Sequence, residues 1–333
     1  MRIAYCTVKN ISRGGGIEKY TLELGKRLVA KGHDVVVYSM GNYGEVEPEV
    51  EGMKIVSVPC IPFVPTEKLS AAFSSAVRTL FDPKIDIAHY HTAAGLFALL
   101  SRLRARKVVL QMHGVEWQRS RWGWLGRNVL RFIEKAAMRQ VHAVTAVSKT
   151  QCEYFGKIYG MDLHYIPTGA EMMEPMAARD ILEWGLEPRR YILFASRLVR
   201  EKGAHYLIPA FRKLDTDFKL VMAGDVKGEK TYKAELHEMA AGDDRILFPG
   251  FVEGRPLEEL FSNAACYVQP SELEGLSIAL MEAMSYGCPC LASDIPENRE
   301  AIGDVGRTFK NADIDDLSVQ LGHMCEADYS EEE

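Results

Sequence analysis

Two doubly wound α/β domains, each built on a parallel sheet, are the architecture this chain predicts, and three observations predict it. Short β-branched runs alternate with amphipathic helical patterns, which is the β-α-β order of a parallel sheet. The series runs through the first half and restarts in the second. At 333 residues the chain exceeds what one core of ordinary size supports, so two domains of about 150 residues are expected. The boundaries read as 1–168 and 169–310, followed by a short acidic helix or tail over 311–333.

The first strand is RIAYCTV, from Arg2. A glycine loop (Gly14, Gly15, Gly16) and a helix from Ile17 to Val29 lead to the next strand, DVVVYSM, and KIVSVP, DIAHYH, KVVLQMH and AVTAVS continue the series. The second half repeats the pattern with YILFAS, KLVMAG, RILFPG, CYVQPS and CPCLAS. Strands that end in Gly, Ser or His and run into helices set their polar ends along one sheet edge, and two such edges facing each other would make a cleft. The intervening TGAEMMEPMAARDILEWGLEPRR reads as a linker with a short helix, and the hinge is expected near residues 167–188.

Composition excludes several classes. No apolar run approaches the roughly 18 residues of a membrane span, and MRIAYCTV lacks the basic and then apolar layout of a secretory signal, so a cytoplasmic location is expected. The seven cysteines have no paired C-x-x-C spacing and read as reduced thiols. Cys288 and Cys290 flank Pro289 in a buried strand, and two ligands make no zinc site. Asp313 and Asp315 form a D-x-D in a polar stretch expected to be exposed, and no metal is assigned. The net charge of -6 conceals an asymmetry: residues 1–168 hold 23 Lys and Arg against 14 Asp and Glu, whereas 169–333 hold 17 against 32. A basic half beside an acidic half suits one domain that meets an anionic partner. The basic residues carry no nucleic-acid motif, so nucleic acid is not an expected partner.

Four features carry chemistry. Gly15 and Gly16, between a strand and a helix, let backbone N–H groups approach a phosphate, although a tight strand-to-helix turn would need the same residues. The second strand lacks the acidic end of a dinucleotide fold, which argues against a dehydrogenase. Arg197 and Lys202 in ASRLVREKG supply two cations that suit a diphosphate, or simply a solvated surface. The stretch from Ser271 to Gly287 reads as strand end, loop and helix, with Ser271 and Glu274 as an S-x-x-E capping box. That leaves Glu282 in an apolar helix, where a buried carboxylate needs donors such as ribose hydroxyls. Glu274 can accept from sugar hydroxyls, and the N–H groups of Gly275, Leu276 and Ser277 at the helix start can take phosphate. Lastly, His113 ends the strand KVVLQMH, and His89 and His91 lie in DIAHYH; taken alone, each suits a strand-end or core position.

These residues bring a resemblance into view. GGGIEKY, HGVEW, VSKT, IPTGAE, SRLVREKG, MAGD, FPGFVEG, PSELEGLSIALMEAMSYGCP and SDIPENREAIGD, in this order, resemble the retaining glycosyltransferase family 4 across nearly the whole chain. The Glu-x7-Glu mark of that family is matched by Glu274 and Glu282. The resemblance implies the two-domain GT-B fold, an acceptor domain first and a donor domain second, and transfer of a sugar from a nucleotide sugar to an acceptor hydroxyl with retention and without a metal. It implies that Arg197 and Lys202 hold the donor diphosphate, Glu282 the ribose, and Glu274 with the backbone of Gly275 to Ser277 the sugar and phosphate. The base is implied to pack near Phe251 and Val252, with the loop at Gly15 and Gly16 closing from the other domain. His113 is implied to bond the donor sugar or to orient the acceptor, and His89 and His91 are candidates for the acceptor side. The resemblance implies no cofactor; the nucleotide sugar, of UDP, GDP or dTDP type, is the substrate. The acceptor class is a glycan or lipid-linked glycan, and HGVEWQRSRWG is similar to segments of bacterial polysaccharide rhamnosyltransferases. Family members usually finish with a longer helix that returns to the first domain, whereas this chain stops at Glu333.

Residues 117–140 carry Arg119, Arg121, Arg127, Arg131, Lys135 and Arg139 against Glu134 alone, with three tryptophans expected ahead of the helix. Cations beside interfacial aromatics suit an anionic membrane surface at the inner face, or a solvated helix beside an acceptor pocket. Rival readings are a nucleotide-sugar epimerase on similar domains and a non-catalytic nucleotide-sugar binding module.

Overall fold

The computed structural model describes residues 1–12, 15–63, 66–82, 84–119, 122–225 and 230–327; Gly14, Arg121 and the terminal acidic run lie outside the described residues. The chain divides into two compact units, 1–168 and 169–333.

The first unit runs β1 (Arg2–Val8), α1 (Gly16–Ala30), β2 (Asp34–Met40), β3 (Glu49–Val50), β4 (Met53–Val58), α2 (Glu67–Phe81), β5 (Ile87–His91), α3 (Ala98–Ser101), β6 (Lys107–Met112), α4 (Trp124–Arg139), β7 (Ala143–Ala146), α5 (Lys149–Tyr159) and β8 (His164–Tyr165). Its sheet has the order β3-β4-β2-β1-β5-β6-β7-β8 and is parallel apart from the short β3–β4 pair. Alternate residues serve opposite faces. Ala4 and Cys6 pack with Val36 and Tyr38 in one apolar cluster, and Ile3 and Tyr5 pack with Val35 and Val37 in another. Helices cover both faces of such a sheet, which is why these strands read as continuous apolar runs.

The second unit begins with the segment expected to be a linker. From Met173 onward it is bound to this unit, and the expected short helix is a 3-10 turn at Asp180–Trp184. The Met173 N–H donates to Ser285 O, and the fully buried Glu259 carboxylate accepts from the N–H groups of Arg179, Asp180 and Ile181 while pairing with Arg255. Those donors and the adjacent guanidinium hold Glu259 well below the usual carboxylate range, to about 2, against the opposing effect of burial.

Then follow β9 (Tyr191–Ala195), α6 (Ala204–Arg212), β10 (Lys219–Ala223), α7 (Lys230–Ala240), β11 (Ile246–Gly250), α8 (Arg255–Asn263), β12 (Cys266–Gln269), α9 (Ile278–Ser285), β13 (Cys290–Ser293), α10 (Pro296–Ile302), β14 (Arg307–Phe309) and α11 (Ile314–Glu326). The sheet order is β11-β10-β9-β12-β13-β14, all parallel. Residues 314–326 are not a free tail, because Leu317, Leu321 and Met324 of α11 are buried in the core beside α6. Asp313 caps that helix by accepting from the N–H groups of Asp315 and Asp316, which accounts for the D-x-D spacing structurally.

Both sheets have a point where strand order reverses: between β1 and β5 in the first unit and between β9 and β12 in the second. In open α/β sheets, ligands bind beyond the carboxyl ends of the strands at such points.

Candidate functional site

In the second unit the reversal point brings together the loops after β9 and β12. Gly203 sits at φ +72°, and a Cβ there would stand 1.8 Å from the Pro270 carbonyl oxygen, so only glycine allows the two loops to meet. The Glu272 N–H donates to Glu201 O at 3.0 Å and fastens the contact. One consequence is that Lys202 Nζ lies 2.5 Å from Glu274 Oε1, with side-chain exposures of only 13% and 6%. Gln269, at the end of β12, orders the surroundings. Its Nε2 donates to Glu274 Oε1 at 2.6 Å, and its Oε1 accepts from Tyr267 and Ser277 hydroxyls. Ser271 is held by Gln269 and by Ser293, whose hydroxyl donates to Ser271 O at 2.5 Å.

The expected capping box is not formed. Helix α9 starts at Ile278, and Ser277 caps it by accepting from the Leu280 N–H at 3.3 Å. Ser271 and Glu274 are occupied elsewhere, so neither is available to cap a helix. Gly275 and Leu276 therefore lie in the loop before α9, with Ser277 at its cap. None of their amides has a hydrogen-bond acceptor among the described residues.

In the first unit the reversal point gathers the glycine loop after β1 and three imidazoles. Thr7 at the end of β1 and Thr92 after β5 both have positive φ, +65° and +63°, which is unusual for β-branched residues and recurs at functional sites. His91 is fully buried, and Tyr5 stacks on it in nearly parallel planes at 5.9 Å between ring centres. His91 Nδ1 lies 3.0 Å from His113 Nε2, and Tyr20 meets the His113 ring edge-on at 5.1 Å. Burial lowers all three imidazoles, His89 to about 4 and His113 to about 3, with His91 well below its usual value. All are neutral at pH 7. His89 and His91 are thus buried behind His113, which is half-buried, rather than lining a pocket beside it. Gly15 precedes α1 in extended backbone, and the Glu18 carboxylate folds over it and accepts from the Lys9 N–H at 3.1 Å.

Two solved structures share this fold. A sucrose-phosphate synthase from Thermosynechococcus elongatus superposes with a TM-score of 0.83 at 20% identity, covering 97% of this chain and 89% of that one. HepE from Anabaena, solved with UDP and glucose, superposes with a TM-score of 0.79 at 18% identity, covering 98% and 90%. The family described as Glycosyltransferase Family 4 matches residues 14–172, and that described as Glycosyl transferases group 1 matches residues 180–327. The chain is a glycosyltransferase of the GT-B type. Among relatives by sequence, the phosphatidyl-myo-inositol mannosyltransferase of Mycolicibacterium smegmatis is 26% identical over 344 residues, covering 98% of this chain and 86% of its own.

In this glycosyltransferase the remaining sequence-predicted residues of the second unit follow strands β9 and β11 or lie on α9. Arg197 is exposed in the loop after β9, five residues before Lys202. Phe251 is 59% exposed just beyond β11, while Val252 packs partly into the core. Glu282 differs from expectation: it is half-buried on α9 and already engaged within the protein, because α9 turns part of its apolar-looking surface outward. Gln269 and Thr21 were missed from the sequence. For Gln269 the available signal was an amide at the polar end of a buried strand.

Proposed function

We propose that this glycosyltransferase moves a sugar from a nucleoside diphosphate donor to a hydroxyl of a glycan or lipid-linked acceptor, with retention at the anomeric carbon and without a metal. The observation that carries this reading is the buried Lys202–Glu274 pair at the second reversal point, beside the amides of Gly275 to Ser277. The bond from the anomeric carbon to the phosphate oxygen breaks, the bond to the acceptor oxygen forms on the same face, and the hydroxyl proton passes to the leaving phosphate. Lys202 and Arg197 offset the charge that develops on the departing diphosphate. Glu274 accepts from sugar hydroxyls, Glu282 holds the ribose, Phe251 and Val252 lie beside the base, and His113 with Gly15 and Gly16 serves the sugar and acceptor. Thermal-shift screening against UDP, GDP, dTDP and ADP sugars tests this. At least one class should stabilise the protein, and Glu282→Ala should weaken that binding by about tenfold or more; unchanged affinity contradicts the ribose role.

A peripheral contact with an anionic membrane belongs to the same proposal. The inner face of α4 is anchored at Glu134, which accepts from Trp117 Nε1 and the Tyr159 hydroxyl and is pushed up to about 7 by burial. Its outer face exposes Trp124, Leu125, Val129 and Phe132 at 49% or more, beside Arg127, Arg131, Lys135 and Arg139. Trp124 is the first helical residue and not, as expected, part of the preceding loop. No helix among the described residues is long and apolar enough to cross a membrane. A lipid-linked acceptor would be met by such a face, and the mannosyltransferase relative bears a phosphatidyl-inositol name. Co-sedimentation with anionic liposomes at low salt is expected, falling about tenfold in Trp124→Ala/Phe132→Ala; equal binding to neutral liposomes, or none, refutes it.

A further inference from the structure

The polar contacts behind His113 link its tautomer to Thr21 of α1. Thr21, in the second turn of α1, donates its hydroxyl proton to Ile17 O at 2.8 Å, and a carbonyl has no proton to return. Thr21 Oγ1 also lies 3.1 Å from His91 Nε2. With that proton on Ile17 O, Thr21 accepts from His91, and His91 carries its proton on Nε2. A buried, neutral His91 then presents a lone pair at Nδ1. The 3.0 Å contact from that atom to His113 Nε2 requires His113 to be the donor. A neutral His113 protonated on Nε2 has its lone pair on Nδ1, and that atom has no hydrogen-bond partner among the described residues. A flipped His91 ring would put carbons against both polar partners, so the orientation is the one that satisfies them.

We infer that Thr21 and His91 are positioning residues that lock His113 in its Nε2–H form, so that His113 offers Nδ1 as an acceptor to a donating hydroxyl of the sugar or of the acceptor. The catalytic use of that atom rests on the transferase reading above, whereas the relay itself does not. Three features support a built device over incidental packing. The His91 backbone N–H donates to Thr7 Oγ1 at 3.3 Å, which ties the imidazole to the strained end of β1. Tyr5 and Tyr20 confine the ring planes. Thr21 shares the start of α1 with the glycine loop, so one helix fixes both. The inference also limits substrate chemistry: a hydroxyl or amide N–H meets a lone pair favourably, whereas a carboxylate or an ether oxygen at that position does not.

Imidazole 15N spectra of the histidine-labelled protein, with His113 assigned by its loss in His113→Gln, read the protonated nitrogen without any donor or acceptor. The wild type and Thr21→Ser should show His113 protonated on Nε2. Thr21→Val keeps the branched shape but removes the acceptor for His91, and should shift His113 toward the Nδ1–H form. A wild-type His113 protonated on Nδ1 overturns the relay, as does an unchanged Nε2–H signal in Thr21→Val; the wild-type measurement decides even if that variant does not fold. In a transfer assay, Thr21→Val should lose about tenfold in kcat, the value of one misdirected hydrogen bond, with Thr21→Ser retaining it. A shifted tautomer with unchanged kcat would leave the relay standing and refute the use of Nδ1 in transfer.

Discussion

Lys202→Met is expected to reduce kcat by about 10²–10³-fold, because on the proposed reading it removes a preorganised positive charge from the point where a leaving diphosphate would become more negative. The same substitution should cost stability. Lys202 and Glu274 are both largely withdrawn from water, and breaking a buried pair by deleting one partner typically costs about 3–5 kcal/mol, since the other charge is left without its counter-ion. Gln269 still donates to Glu274, which places the expected loss at the lower end of that range. The two effects separate in the double variant Lys202→Met/Glu274→Gln, where no uncompensated charge remains. Urea unfolding should recover most of its midpoint in the double variant while turnover stays low. If turnover recovers together with stability, the pair is structural and Lys202 is not a phosphate ligand.

Gly203→Ala is expected to destabilise the second unit by on the order of 3 kcal/mol and to weaken donor binding more than tenfold. The left-handed backbone at φ +72° disfavours a side chain, and the added methyl would collide with the Pro270 carbonyl, which is backbone and cannot rotate aside. Relief requires the loops after β9 and β12 to separate, and that separation breaks the Glu201–Glu272 clasp and draws Lys202 away from Glu274. Gly185→Ala is the matched control. It has a similar φ of +65°, but its new Cβ would meet only the end of the Lys219 side chain, at 3.1 Å. It should cost about 1 kcal/mol and leave donor affinity unchanged. Equal losses in both variants, read by thermal melts and donor titration, would contradict the specific role of the close approach.

Much of the architecture was legible because buried parallel strands write themselves as apolar runs: Asp34–Met40 and Tyr191–Ala195 fall where β-branched and aromatic residues concentrate. Strands of two or three residues, such as β3, β8 and β14, carry too short a pattern to be seen. Lys202 and Glu274 were each legible as candidates, but their pairing was not, since it spans 72 residues and depends on the conformation of Gly203. The capping reading of Ser271 failed because S-x-x-E is a local pattern, and long-range bonds from Gln269 and Ser293 had already committed that serine. Glu282 was read as buried from apolar neighbours alone, a reading that ignores which face of a short helix meets the sheet. For His91 the sequence left a core position and an acceptor-side role equally open; the cover supplied by Thr21 and Tyr5 and the contact with His113 put it in the core. Thr21 itself sits in a polar helical stretch that gives no hint of a partner 70 residues away.

On the proposed reading a nucleotide sugar is cleaved at its anomeric carbon by groups arranged around Lys202. Incubating the protein with UDP, GDP, dTDP and ADP sugars, with and without glycan or lipid-linked acceptors, and resolving the products by mass spectrometry and proton NMR tests it most directly. Release of nucleoside diphosphate together with an α-configured transferred sugar from an α-configured donor is expected, and Lys202→Met should nearly abolish it. An isomerised sugar still attached to its nucleotide, or donor binding with neither transfer nor hydrolysis, would contradict it.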